Sequence, residues 1–438
     1  MLAKLGIWRL SLVLAIAASA VMEGATAADR SLVLVYSGNL DGELEPCGCS
    51  AEGDFGGMRR RATVLEELRS EDPHAFVVSA GGLLSGFAVN RRLTNEYILK
   101  GFALLGYDAI GLQWNDLHYG DEFLREPVLP WVASNWHDDG FSHERRVKRG
   151  DRTMAFFSWL DPRSAPQQAM RGNHGQVVNQ SAALSRALAR AKHDGALTVV
   201  ATTLTLADAK EVLSLTDVDV LIIRARYAVY GEPQSSGDTL VLQPGSRGMR
   251  IGRLDLALDA RGRIVAWRHR VIPLPKSKSD PRRLQAWYAE YNARVKENYV
   301  QMAALRKARA KGETPFVGAE ACQACHAHAY STWKRSQHAM AFSALEQANK
   351  SFDPNCLQCH VVGFDMPGGF IDTDVTVSLT DVQCESCHGA ARAHVASGGS
   401  APVNNSAWQP AQMCAQCHVQ AHSPAFTFGS YWPRVAHD

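Results

Sequence analysis

This 438-residue chain is short of net charge, because 46 Lys and Arg are balanced against 44 Asp and Glu to leave +2. So even a balance gives no electrostatic case for a nucleic-acid or strongly acidic partner. Long apolar runs are scarce too: after Leu10 to Val21 near the start, no stretch is long and apolar enough to cross a bilayer. Cysteine is scarce outside one region, since eight of the ten fall between Cys322 and Cys417 and only Cys47 and Cys49 lie elsewhere. The length allows two domains or more, each with a core of its own.

The crowded region repeats one five-residue signal four times. It reads Cys322-Gln-Ala-Cys325-His326, Cys356-Leu-Gln-Cys359-His360, Cys384-Glu-Ser-Cys387-His388 and Cys414-Ala-Gln-Cys417-His418. Cys-x-x-Cys-His attaches a c-type haem: both thiols form thioethers to the porphyrin and the adjacent His becomes an axial ligand of iron. A zinc ribbon also pairs Cys-x-x-Cys, but it does not require His after every second Cys. Four repeats in the last third of the chain therefore imply four haem c groups, with His326, His360, His388 and His418 as proximal ligands. Their propionates would make this part more acidic than its sequence.

Export agrees with that chemistry, since haem c is attached outside the bacterial cytoplasm. Met1 to Ala28 has the pattern of a secretory signal: Lys4 and Arg9, then the apolar run, then Ala25-Thr26-Ala27 as a cleavage site. The expected location is the periplasm, with no transmembrane segment after cleavage.

Residues 29–275 alternate strand and helix patterns, which implies an α/β layered sheet. Strands are expected at Ser31 to Tyr36, Ala75 to Ser79, Thr198 to Ala201 and Val218 to Ile223, and helices at Gly57 to Arg69 and Asn95 to Leu105. Gly56-Gly-Met-Arg-Arg-Arg-Ala-Thr63, Leu105-Gly-Tyr-Asp-Ala109, Ser134-Asn135 and Gln243-Pro-Gly-Ser246 with Ile251-Gly-Arg-Leu254 resemble the metallophosphoesterase domain of the UshA-like 5′-nucleotidase family over about residues 31–272. The resemblance implies a layered sandwich, but function must be argued from the site. There the chain departs. The family's Asp-x-His falls on Asn39-Leu40-Asp41, its Gly-Asp on Gly81-Gly82, its Gly-Asn-His-Glu on Gln113-Trp114-Asn115-Asp116, and its Gly-His-x-His near Arg224-Ala225-Arg226. A preceding metal His is replaced around Thr203-Leu204. Two divalent metals need several converging carboxylates and imidazoles, which Asp41 and Asp116 alone do not supply. The expectation is a domain that has lost its metals.

Glu45-Pro46-Cys47-Gly48-Cys49 follows the first strand, where the family has a metal loop. UshA-like proteins with a Cys pair at this point look similar, which implies a redox or metal-binding replacement. Cys47 and Cys49 can hold a soft metal, form a strained disulfide, or simply sit in a loop. His118, His137, His143, His174 and His193 are scattered and read as surface or hydrogen-bonded. Arg59-Arg60-Arg61 and Arg145-Arg146 read as a solvated face, or as groups that steer an anion.

Residues 276–312 form a connector. An amphipathic helix from Arg282 to Ala310, with Asp280-Pro281 as its cap and first turn, is expected to pack Leu284, Trp287, Tyr291, Val295 and Tyr299 between the domains. Residues 313–438 then read as a mainly α, irregular multihaem cytochrome domain whose porphyrins supply much of the core. Phe316-Val-Gly-Ala-Glu-Ala-Cys322, Trp333-Lys-Arg-Ser336-Gln-His338-Ala339 and Cys384-Glu-Ser-Cys-His-Gly389 resemble the tetraheme cytochrome c-554 family. That resemblance gives His338 and His394 as distal ligands, with His422 a further candidate. His328 and His437 are expected to be exposed or propionate partners. Met340, Met366 and Met413 read as filler.

The leading expectation is electron transfer between periplasmic or membrane-bound redox proteins, with the front domain as a docking or substrate module. A multihaem oxidoreductase acting on a small nitrogen or sulfur species at an open iron is the alternative, and a metal-dependent phosphoesterase comes third.

Overall fold

A computed structural model describes residues 30–47, 54–85, 91–137, 139–165, 177–179, 181–225, 230–280, 282–310, 312–405, 409–419, 423 and 425–437, without the side chains of 30, 47 and 91. The expected export signal, Cys49, His174, Arg226, Pro281 and His422 fall outside the described residues.

Two six-stranded sheets dominate the first part. The strands of the first sheet are β1 (Arg30–Ser37), β4 (Phe76–Ser79), β5 (Ala109–Gly111), β6 (Trp131–Val132), β13 (Arg250–Leu258) and β14 (Ile264–Pro273), in the order β14-β13-β1-β4-β5-β6. The second sheet contains β7 (Arg145–Arg149), β8 (Arg152–Trp159), β9 (Leu197–Thr202), β10 (Val220–Ile222), β11 (Gln234–Ser236) and β12 (Thr239–Leu242), in the order β11-β12-β10-β9-β8-β7. A small ribbon pairs β2 (Pro46–Cys47) with β3 (Phe55–Gly56).

β1 is central because both its faces are apolar. Leu32, Leu34 and Tyr36 point into the space between the sheets, Val33 and Val35 into the outer layer, and all five are buried. It runs antiparallel to β13 and parallel to β4, so Leu34 stands level with Leu254 and Phe76. The middle layer is completed by Phe156, Val199 and Ile222 of the second sheet. Helices α1 (Met58–Glu71) and α2 (Arg91–Leu105) cover the first sheet, and α3 (Ala182–His193) and α4 (Leu206–Val212) the second. The result is helix, sheet, sheet, helix.

The connector helix α5 spans Gln285–Arg309. Its start differs from expectation: Leu284, at φ 52, is the cap residue, while the Asp280 carboxylate accepts from the backbone N–H of Arg282 in a preceding turn. Trp287, Tyr291 and Val295 join the outer core of the first sheet, and the Tyr299 hydroxyl donates to the carbonyl of Ile371 at 3.0 Å in the last part of the chain.

Among the described residues from 312 on, the helices are short. These are α6 (Ala327–Lys334), α7 (Ala341–Gln347), α8 (Pro354–His360), α9 (Cys384–His388), α10 (Arg392–Ala396), α11 (Pro410–Cys417) and α12 (Phe428–Tyr431). Their shared apolar cluster is small, built from Phe316, Phe342, Leu345, Leu357, Val361, Val362, Phe370 and Leu379. Met340, Met366, Val375, Val377 and Val395 meanwhile stand exposed. Among the described residues no helix is long and apolar enough to cross a membrane.

Candidate haem centres and the strand-end loops

Each Cys-x-x-Cys-His lies on or beside a short helical turn, so cysteines three apart share one face. Asp353 caps α8 by accepting from the N–H of Asn355 at 3.0 Å, with Pro354 in its first turn, and α8 ends on His360. Gln383 and Ser386 form a reciprocal cap at the start of α9, which contains the whole third motif. The first motif follows a 3-10 turn at Ala319–Cys322, and the fourth closes α11.

Histidine rings from distant parts of the chain stand opposite one another. The ring centres of His326 and His394 are 6.1 Å apart, those of His338 and His418 6.1 Å, and those of His388 and His437 6.0 Å. Two imidazoles bound about 2 Å from one metal, with ring centres about 1 Å behind the nitrogens, would stand about 6 Å apart. Second contacts hold several rings in place. Nδ1–H of His360 donates to the carbonyl of Ala341 at 2.6 Å, that of His394 to Ala401 at 2.7 Å and that of His437 to Val435 at 2.8 Å, while His418 Nδ1 bonds the Ser423 hydroxyl at 3.0 Å. In each case Nε2 is left for a metal, the arrangement in which outer hydrogen bonds fix tautomer and ring angle. Burial, then the neighbouring His418 and His360, lower the His338 pKa; burial, then His437 and His326, do the same for His388. A neutral imidazole is the form that binds a metal.

His437 is exposed, as the sequence expects, and α12 with the turn Trp432–Arg434 also brings its ring to within 6.0 Å of that of His388, a juxtaposition the sequence does not reveal. His328 is exposed, as expected.

The thiols also cluster across motifs. Cys322 hydrogen-bonds Cys384 and Cys359 hydrogen-bonds Cys417, while desolvation, then the charge of Cys414, pushes the half-buried Cys387 thiol up to about 11. The facing rings at three of the motifs, the small apolar cluster and the exposed apolar side chains fit haem c.

At the carboxyl ends of β1, β4 and β5, where an α/β sheet places its ligands, the chain's own polar groups close on one another. Asn39 Nδ2 donates to Gln113 Oε1 at 3.1 Å and Gln113 Nε2 donates to Asn39 Oδ1 at 3.0 Å. A Cβ at Gly82 would lie 2.4 Å from Asn39 Nδ2 and 2.7 Å from Gln113 Oε1, so an Asp side chain cannot stand there beside this amide pair. Fully buried Asp116 accepts the N–H groups of Gly82, Leu83, Leu84 and Gln113; burial raises its pKa to about 6 against those bonds. Asp41 accepts from Asn39 Nδ2 at 3.2 Å and from the N–H of Arg247 at 3.0 Å. Among the described residues no three His, Cys, Asp or Glu converge in a way that could hold a metal ion.

The arginine run is not a solvated face. Arg60 is buried on Asp54 at 2.7 Å, and Arg61, 1% exposed, donates to the Tyr107 hydroxyl at 2.8 Å and the Gly248 carbonyl at 3.1 Å. Arg59 stacks on Tyr288 at 5.1 Å. Arg145 and Arg146, by contrast, are exposed, as a solvated face requires, and Arg146 pairs with Asp194 at 2.7 Å.

Cys47 closes β2, while its side chain and Cys49 lie outside the described residues. Glu45, two residues earlier, is tied to the last part of the chain. Lys350 Nζ lies 2.8 Å from Glu45 Oε2 and 3.6 Å from Asp353 Oδ2 and donates to Asn292 Oδ1 at 2.8 Å, and Tyr288 also bonds Glu45. Lys350 is 7% exposed and Asp353 2%. Burial opposes charge on Lys350, but Glu45, Tyr288 and Asp353 hold its ammonium above the usual range.

Residues 321–389 match the family model "Cytochrome c554 and c-prime". The carboxy-terminal part is cytochrome c554-like. Cytochrome c-554 of Nitrosomonas europaea is 34% identical over 95 residues, covering 18% of this chain and 40% of that protein. Snake venom 5′-nucleotidase of Gloydius brevicauda is 31% identical over 81 residues, 18% of this chain and 14% of its own length. The chain thus spans less than half of the curated relatives it matches. The 5′-nucleotidase precursor of Thermus thermophilus superposes with a TM-score of 0.52 at 17% identity, covering 61% of this chain and 59% of that one. This likeness shows the fold of the front part: a 5′-nucleotidase-like α/β sandwich, joined to a cytochrome c554-like segment of haem c type.

Proposed function

We propose that this chain is an exported, periplasmic tetrahaem cytochrome that transfers electrons, and that its 5′-nucleotidase-like domain no longer hydrolyses anything but docks a redox partner or substrate. The proposed boundaries are the signal at 1–28, the sandwich at 29–275, the connector at 276–312 and the haem domain at 313–438. The observation that carries the reading is the set of three facing histidine pairs, each joining one attachment motif to a histidine distant in sequence.

The eight motif cysteines would anchor the four groups. His326 with His394, His388 with His437, and His418 with His338 would hold three irons, and His360 the fourth, with His422 as its candidate partner. Iron held between two imidazoles supplies one-electron exchange at low potential. The thiol of Cys322 bonds that of Cys384 and the thiol of Cys417 bonds that of Cys359, which supports closeness of the first motif to the third and of the second to the fourth. The partners would be periplasmic or membrane-bound redox proteins. A pyridine haemochrome assay with a potentiometric titration tests this: four haems per chain, all reversibly reduced at low potential, are expected, and a colourless mature protein would end the reading.

Loss of hydrolysis is supported by the amide pair between Asn39 and Gln113, which occupies the place where metal ligands would converge. Manganese with nucleotides should give no turnover above background. A metal bound at a hundredfold excess over its Kd would add about 2.7 kcal/mol of stability, so an unchanged melting temperature is expected, and a clear rise with phosphate release would restore the phosphoesterase.

A further inference from the structure

Glu385 is the first variable residue of the third motif, and nothing in electron transfer requires a carboxylate there. Its side chain is 3% exposed. Oε2 accepts the N–H groups of Val317 at 3.0 Å and Gly318 at 2.8 Å, and Oε1 accepts that of Ala391 at 2.8 Å. Every one of these partners is a donor, the pattern an ionised carboxylate accepts. Among the described residues no lysine, arginine or histidine forms an ion pair with it. Arg392, which reaches the same strap, donates to the carbonyls of Thr314 and Phe316 and lies 3.7 Å from Glu313.

The strap that Glu385 grips, residues 316–319, leads directly into Cys322 and the first motif. Gln383, one residue before the third motif, grips it again through the N–H of Ala319 at 2.6 Å. The carboxylate thus lies within the third motif, and the Val317 and Gly318 N–H groups it accepts stand five and four positions before Cys322.

We infer that Glu385 is a positioning and potential-setting residue: it clips the first motif to the third and holds a fixed negative charge beside both attachment motifs. The inference rests on haem attachment at these motifs. A haem gains one negative charge on reduction, so a buried anion beside it favours the oxidised state, and more strongly in a low-dielectric interior than in water. Glu385 thereby lowers the potentials of the haems on His326 and His388 relative to those on His360 and His418. Backbone N–H groups could satisfy a neutral side chain only in part, so the clip and the charge are one device.

The test is a spectroelectrochemical titration of the full-length haem-loaded protein against Glu385→Gln and Glu385→Asp, with haem counted in each. In Glu385→Gln the ratio of reduced to oxidised haem at the wild-type midpoint should rise roughly tenfold at two of the four haems, about 59 mV for a one-electron couple. Glu385→Asp, which draws the charge back, should shift the same two haems by less. Four haems with unchanged midpoints in Glu385→Gln, or an equal shift at all four, would overturn the inference and leave a structural clip alone. Where Glu385→Gln fails to mature, Glu385→Asp decides: unchanged midpoints overturn it. A wild-type protein without haem instead removes the function proposed above.

Discussion

His394→Ala should convert one low-spin haem to high-spin while the haem count stays at four. The two halves of each site do different work. In the proposed site, attachment would depend on thioethers at Cys322 and Cys325, which this substitution leaves alone, and ligation on the ring that faces His326 at 6.1 Å. Deleting that ring leaves an iron with one imidazole and an open position. His338→Ala and His437→Ala should each do the same at a different haem, because their partners are His418 and His388. Exposed His328 faces no motif histidine in these pairs, and His328→Ala should leave every signal in place. EPR or magnetic circular dichroism reads the change, and the three substitutions should affect three different haems. Three alanine variants that all keep a wild-type spin inventory would remove the proposed pairing.

Lys350→Met should destabilise the protein by about 3–5 kcal/mol, the usual cost of taking one partner from a buried ion pair. Methionine keeps the aliphatic stem but leaves Glu45 and Asp353 facing one another with no cation between them. Lys350 is where the loop before Cys47 meets the cap of α8, which bears Cys356, Cys359 and His360. The loss therefore falls on the junction of the two parts. In wild-type protein the Soret band and the far-ultraviolet signal should unfold together, whereas in Lys350→Met the Soret transition should come at lower denaturant. Coincident transitions with an unchanged midpoint would mean that the ion cluster does not join the parts.

Covalent chemistry made the haem region legible in sequence. Cys-x-x-Cys-His is local, and its meaning survives without any knowledge of the fold. Strand β1 was legible for a similar reason, since a run apolar on both faces belongs at the centre of a layered sheet. Distal histidines are another matter. His437 lies 49 residues beyond His388, and no local pattern shows that the two rings meet; only the return of the chain end through α12 does so. Arg60 and Arg61 misled in the opposite direction. A basic run reads as solvated, but the helix turns these two residues inward to Asp54, Tyr107 and a carbonyl. The departure of Asn39 and Gly82 from the resembled metal motifs could be read in the sequence, while the amide pair between Asn39 and Gln113 required the loops of β1 and β5 to meet in space. Lys350 and Glu45, 305 positions apart, carried no signal at all until the connector helix brought the two parts together.

The most direct test of the account is a spin inventory of the wild-type holoprotein, by EPR with haem quantified on the same sample. Four haem c per chain are predicted, at least three of them low-spin with two imidazole ligands. A chain with no covalent haem, or with two or more high-spin irons, would contradict it.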